Sequence, residues 1–263
     1  MRPEIPSATT LVLDFLAAAA DHKMSAQGLC HACSIMGYGE AATRVALTRL
    51  AQQGKILKLE RATYLLDSRS NRLQRDVENW RERITWIVPW GGDWLAVHDG
   101  AINRREKSGL RRHRRALELR GFKEWRPGLQ VRPNNLSGGA ETLRRQLAEL
   151  GLAAGAELFL ATGFDQKQTP VLQRLWNLPA LRRNYAKMRS RLEQSERRLK
   201  SAGPVAGARE SLLVGRELIG QMLKDPLLPV EMVESEEYLQ LAGLIADYQD
   251  FSRRIWDRVL AEA

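Results

Sequence analysis

The chain is poor in the residues that staple a fold or hold a metal. Of its 263 residues two are cysteine, in the run Cys30-His31-Ala32-Cys33. A structural zinc site takes four ligands, and there is no second cysteine pair. A thioredoxin-like pair would follow a strand, whereas this one lies in a helical pattern. That leaves two small buried residues on a helix. Long apolar runs are missing as well: nothing approaches the roughly 18 consecutive apolar residues of a membrane span. Residues 1–10 lack the charged, then apolar, then small-residue layout of a secretory signal. The expected location is the cytoplasm, with no membrane partner. There is no phosphate-binding loop, dinucleotide fingerprint or nucleophile–histidine–acid arrangement, and Gly37-Tyr38-Gly39 is a turn. Repeats and low-complexity segments are absent too. No catalytic residue, metal or cofactor is expected, and the chain is not expected to be an enzyme.

What the sequence has in excess is positive charge. Lysine and arginine outnumber aspartate and glutamate 41 to 31, a formal net charge of +10. A balance of this size favours a polyanionic partner, most often nucleic acid. The charge is also segregated. The stretch Arg104 to Arg126 is dense in arginine and lysine, while Asp225 to Ala263 is acidic. Segregation alone does not separate DNA from an anionic ligand such as a coenzyme A ester.

Residues 1–67 are expected to form one unit. Leu11, Val12, Phe15, Leu16 and Ala19 recur at helical spacing, with Thr9 or Thr10 as N-cap. A second helix begins near Ser25 and carries Leu29, Cys30 and Cys33 inward. Gly37 and Gly39 break it. A third helix runs from Glu40 to Gln53 and ends at Gly54. Val45, Ala46, Leu47 and Leu50 are expected to face the core, leaving Thr43, Arg44, Thr48 and Arg49 as its polar remainder. Lys55 to Glu60 and Arg61 to Asp67 alternate as two strands with a short connection. Three helices followed by a basic hairpin is the layout of a winged helix-turn-helix. Such a third helix needs small residues at its start, here Ala41 and Ala42, to approach the bases. It also needs arginine or threonine to reach base edges and phosphates. The expected DNA-binding residues are Thr43, Arg44, Thr48 and Arg49, with Lys58 and Arg61 on the wing. Arg44 is the favoured contact.

Residues 68–83 read as a linker helix and 84–165 as a middle domain. Strand-like runs cover Ile84 to Trp90 and Asp93 to His98, and a basic helix follows from Arg104 to Leu119. Two short strands flank the turn Pro127-Gly128. A helix then spans Gly139 to Leu150, and an apolar strand Ala156 to Thr162. The order β-α-β-β-α-β is that of a ferredoxin-like sheet with two helices on one face, which leaves a face or edge for pairing two copies. The run Arg111-Arg112-His113-Arg114-Arg115 has two readings: a stripe for nucleic acid or ligand phosphate, and a solvated face paired with acids elsewhere. Trp86, Trp90, Trp94 and Trp125 fit a core; beside arginine they also fit a pocket for an aromatic acyl group. Residues 166–263 are expected to be an all-helical C-terminal domain. The fold class is therefore α+β.

Five segments in order resemble the PaaX-type transcriptional repressors, named for repression of phenylacetate degradation. They are Arg44 to Gly54 with its hairpin; Gly92-Asp93-Trp94-Leu95; Leu110-Arg111 through Arg120-Gly121-Phe122; Leu175-Trp176-Asn177-Leu178 with Tyr185; and Asp225-Pro226-Leu227-Leu228-Pro229. The resemblance implies a homodimer on a pseudo-palindromic double-stranded DNA operator, released by a small-molecule effector, an aromatic acid or its acyl-CoA thioester. The candidate effector residues are Trp90, Trp94, Arg104, Arg105, Arg111, His113, Trp176 and Tyr185. The chain departs from the family after Pro229, where Val233-Glu234-Ser235-Glu236-Glu237 replaces a second Leu-Pro and a Trp-Pro-Gly-like stretch. Two other functions stand against this one. One is a metal-dependent nuclease with Asp93 and Asp99 as ligands. The other is a non-DNA adaptor, which the basic wing and third helix disfavour.

Overall fold

The computed structural model describes residues 5–19, 21–67, 69, 72–165, 167–233 and 236–261. Ser68, where the linker was expected to begin, and Glu262 and Ala263, at the end of the expected helical domain, lie outside them. The described residues form ten helices and two small antiparallel sheets, and fall into two compact units.

The first unit holds residues 1–78, 190–219 and 244–263. Helix α1 (Ala8–Ala18) starts at Ser7, whose hydroxyl accepts from the amide of Thr10 at 3.3 Å. Ser7, rather than Thr9 or Thr10, is therefore the cap. Strand β1 (Lys23–Ser25) leads into α2 (Ala26–Ile35), where Ser25 caps the amide of Gly28 at 3.0 Å. Helix α3 spans Glu40–Gln52. Strands β2 (Ile56–Lys58) and β3 (Thr63–Leu66) form the hairpin, and the sheet order is β1-β3-β2. The short β1 was not expected; it pairs Lys23–Ser25 with Thr63–Leu65. Leu11, Leu16, Leu29, Cys33, Leu47 and Leu50 are fully or almost fully buried in the core.

The second unit holds residues 79–189 and 220–243. After helix α4 (Arg72–Glu78) of the first unit, a 3-10 turn covers Trp80–Trp86. The strand expected from Ile84 to Trp90 is therefore absent. Only Ile87 makes an isolated bridge, to Leu136, and the chain becomes a strand at Trp94. Pro89, which has no amide hydrogen, and Gly92, with φ at 84°, keep the intervening residues out of a ladder.

Strand β4 (Trp94–His98), helix α5 (Lys107–Leu119), strands β5 (Lys123–Arg126) and β6 (Leu129–Pro133), helix α6 (Gly139–Leu150) and strand β7 (Glu157–Ala161) follow in the expected succession. The sheet order is β5-β6-β4-β7, with every neighbouring pair antiparallel. Successive side chains of a strand alternate between faces. Trp94 and Ala96 point to one face, where they pack with Val131, Leu172, Trp176, Leu228 and Val233. Leu95, Val97 and Leu158 point to the other, the side of α5 and α6. All four residues Trp94 to Val97 are buried. The edge strands β5 and β7 flank this covered centre, and on β7 Phe159 and Leu160 are exposed, one on each face.

The separate helical domain expected at 166–263 is divided between the units. Helices α7 (Gln168–Gln173), α8 (Leu178–Leu199), α9 (Pro204–Met222) and α10 (Glu236–Ala261) are amphipathic. Apolar residues of these helices and of the segments between them serve two cores. Ala208, Trp256 and Val259 belong to the first, with Trp256 edge-on to Phe15 at 4.8 Å between ring centroids. Leu172, Trp176, Leu228 and Val233 belong to the second.

Candidate nucleic-acid interface

Helix α3 buries Thr43, Ala46, Leu47 and Leu50, an i, i+3, i+4, i+7 stripe. Two expectations are overturned here. Thr43, expected on the DNA-reading surface, is fully buried, and its hydroxyl donates to the Gly39 carbonyl at 3.3 Å. Val45, expected in the core, is 69% exposed. The reason is local: bonded to the carbonyl four residues back, a threonine hydroxyl needs no water, so Thr43 is free to join the stripe.

The outer face of α3 then carries Ala41, Ala42, Arg44, Val45, Thr48, Arg49 and Gln52, all exposed. Arg44 lies at its flank and is tied to Glu40, Nε to Oε1 at 2.8 Å. Thr48 donates its hydroxyl to the Arg44 carbonyl at 3.1 Å, which leaves its lone pairs and methyl outward. Arg49 has no ion-pair partner among the described residues, and it sits closer to the centre of the face than the favoured Arg44.

Beside α3 stands the hairpin. Lys58 and Arg61 are exposed. Arg61 and Ala62 have φ of 54° and 53°, in the left-handed region. Two successive residues there make the tight turn that fits strand twist, usually supplied by asparagine and glycine. With arginine and alanine the turn costs about 1–2 kcal/mol per residue, and it places Arg61 at the hairpin tip. Cys30 and Cys33 are free thiols, and burial pushes both up from their ordinary values, away from thiolate. No group of three or more metal-ligating side chains occurs among the described residues.

The eight candidate effector residues do not form one pocket. Trp94 is fully buried, stacked on Trp176 at 5.9 Å and edge-on to Trp90 at 5.3 Å. Trp176 donates to the Gly121 carbonyl at 3.1 Å, and Trp90 to the Asp93 carbonyl at 2.6 Å. His113 belongs to α5, which adds no residue to this aromatic cluster. His113 accepts from the Ala153 amide on Nδ1 at 3.2 Å, which places its proton on Nε2, 3.0 Å from Asp99. It is a buried structural histidine. Arg104, 3.4 Å from Asp99, and Arg105 and Arg111 are exposed. Of the arginine run on α5, Arg112 reaches Glu106 at 3.7 Å, while Arg111, Arg114 and Arg115 meet no acid among the described residues.

Tyr185 lies elsewhere again, donating to Asp225 at 2.5 Å. Burial pushes the Asp225 carboxyl up, and burial together with Asp225 pushes the Tyr185 phenol up. Around this pair the fold gathers segments far apart in sequence. A Cβ on Gly121 would meet the Pro226 backbone at 2.8 Å, so glycine is required at this left-handed position. Asn135 donates to the Leu227 carbonyl at 2.9 Å and accepts from the buried Arg132 at 2.9 Å. Arg83, also buried, donates to the Met222 carbonyl at 2.5 Å. Tyr185, Asp225, Tyr238, Ile84 and Leu228 are among the residues lining a cavity of about 10 Å³, room for one water molecule. An aromatic ligand would need this region to open.

Asp93 and Asp99 flank β4 on opposite ends. Six residues of extended chain put them about 20 Å apart, too far to share a metal. Asp93 accepts from Asn134 at 2.8 Å, and Asp99 is taken up by His113 and Arg104.

No protein family profile matches the chain, and no curated relative does. Among solved structures it is similar to the uncharacterized protein Rv0674 from Mycobacterium tuberculosis, with a TM-score of 0.58 and 22% identity over 96% of this chain and 98% of that one. At this identity the likeness concerns the fold alone.

Proposed function

We propose that this chain is a DNA-binding transcriptional regulator of the PaaX type, a cytoplasmic homodimer that represses an aromatic-compound catabolic operon and is released by an aromatic acid or its acyl-CoA thioester. The observation that carries the proposal is the outer face of α3. It is exposed, small at its start and arginine-bearing beyond, and a hairpin with Lys58 on its first strand and Arg61 at its tip stands beside it.

Helices α1 to α3 with the β1-β3-β2 sheet support a winged helix-turn-helix, in which α3 enters the major groove and the hairpin meets the backbone. The strand order β5-β6-β4-β7 supports a ferredoxin-like middle unit. The exposed arginines of α5 offer a second surface to phosphate. No described helix is long and apolar enough to cross a membrane.

The test is a mobility shift of the full chain on the DNA upstream of its own gene, with random competitor, followed by a panel of aromatic acids and their coenzyme A esters. A discrete band that survives competitor and is lost with one ligand is the expected result. Absence of a specific band under every condition refutes the operator-binding reading.

A further inference from the structure

Val45 stands at the centre of the face that α3 presents outward. At 3.6 residues per turn it lies roughly 160° around the helix from both Thr43 and Leu47, which are 0% and 2% exposed. An isolated surface valine is ordinary, but the surroundings of this one are not. Ala41 and Ala42 precede it, short enough to let the helix approach another surface closely. Arg49 and Thr48 lie on either side of it, and Arg44 flanks the face. An apolar protein partner would bury those arginines against carbon, at a desolvation cost. A polyanion with an apolar group at the floor of its groove meets both demands. The major groove of DNA offers one such group, the C5 methyl of thymine.

Resting on the proposed DNA-binding role of α3, we infer that Val45 reads a thymine methyl group, so that the site contains an obligatory thymine opposite the middle of α3. Arg49 supplies the neighbouring polar contact. Ala42, Val45 and Arg49 are spaced i, i+3, i+7 and lie along one line of the helix, the line a groove-bound helix lays against successive base pairs.

The experiment selects bound duplexes from a randomised pool with the full-length wild type. The best duplex is then remade with deoxyuridine for each thymine in turn, which removes the methyl and keeps every hydrogen bond. The expected result is a loss of about fourfold in affinity for each methyl read by Val45, at one or two positions only. Val45→Ala should bind the thymine duplex about as weakly as wild type binds the uracil one, and should no longer distinguish them. Alanine at an exposed helix position favours the helix over a β-branched residue, so the variant folds. Equal wild-type affinity for thymine and uracil duplexes, with discrimination against unrelated DNA kept, overturns the role of Val45 and leaves α3 as a DNA-reading helix. A Val45→Ala protein that still prefers thymine overturns it likewise. Retention of no duplex by wild type removes the DNA-binding role itself.

Discussion

Replacing His113 by leucine isolates the pair that holds α5 to the end of β4. The side chain is 1% exposed, and leucine has a similar volume, so little cavity is created. Two polar groups lose their partner. The Ala153 amide, which donates to Nδ1, becomes an unpaired buried donor, at about 1–3 kcal/mol. The Asp99 carboxylate loses Nε2–H and keeps Arg104, whose side chain is 56% exposed. Losing the hydrogen bond from a neutral imidazole to a charged carboxylate costs about 1.5–3 kcal/mol; with the solvated Arg104 left behind, the lower half applies, about 2 kcal/mol. The expected total is about 4 kcal/mol. Arg104→Ala, by contrast, removes a surface partner and should cost under about 1 kcal/mol. Six of the seven tryptophans, Trp80, Trp86, Trp90, Trp94, Trp125 and Trp176, belong to the unit that contains His113. Tryptophan fluorescence during urea unfolding therefore reports mainly on that unit. With a slope of about 2 kcal/mol per molar, the midpoint for His113→Leu should fall by about 2 M. A shift below about 0.5 M would refute the structural role and return His113 to the candidate ligand residues.

Two further outcomes follow from the first unit. Lys58→Ala should weaken specific and random DNA alike and lower the slope of log affinity against log salt by about 1, as one lost phosphate contact does; titrations at several salt concentrations measure it, and an effect confined to the specific site would contradict a phosphate role. Asp14 is pushed up to about 6 by burial, which outweighs Arg216 at 2.6 Å. Because its native pKa exceeds the unfolded value, the folded state holds the proton more tightly, and stability from this group is present at low pH and lost as pH rises through about 6. Between pH 7 and pH 4 the unfolding free energy of wild type should gain about 2 kcal/mol relative to Asp14→Asn, and a parallel pH dependence of the two proteins would show that Asp14 is not shifted.

The local elements were legible along the chain. Helical spacing of Leu11, Val12, Phe15 and Leu16, the serine cap at Ser25 and the glycines after α2 and α3 specify three helices, and alternation with a short turn specifies the hairpin. Punctuation at Gly121, Pro127-Gly128 and Gly151 specifies the succession β4 to β7. These signals act within a few residues, so periodicity and turn chemistry suffice to read them. Choices between near-equivalent local patterns were not legible. Thr43 and Val45 lie on opposite sides of α3, and only packing against Cys33 and its neighbours selects which is buried. The hydroxyl bond to the Gly39 carbonyl is what lets the polar one be chosen. A 3-10 turn and a strand compete for Ile84 to Trp86, and there the burial of Arg83 among carbonyls from distant segments, Met222 included, goes with the turn. The contents of the cores also lay beyond the sequence. An apolar stripe on α9 or α10 says that the helix is buried but not against what, so residues 166–263 read as one domain although they furnish two cores. The pairing of His113 with Asp99, of Tyr185 with Asp225 and of Gly121 with Pro226 joins groups 14 to 105 residues apart. Only the tertiary structure brings them together, because such contacts depend on where whole elements come to rest rather than on any spacing along the chain.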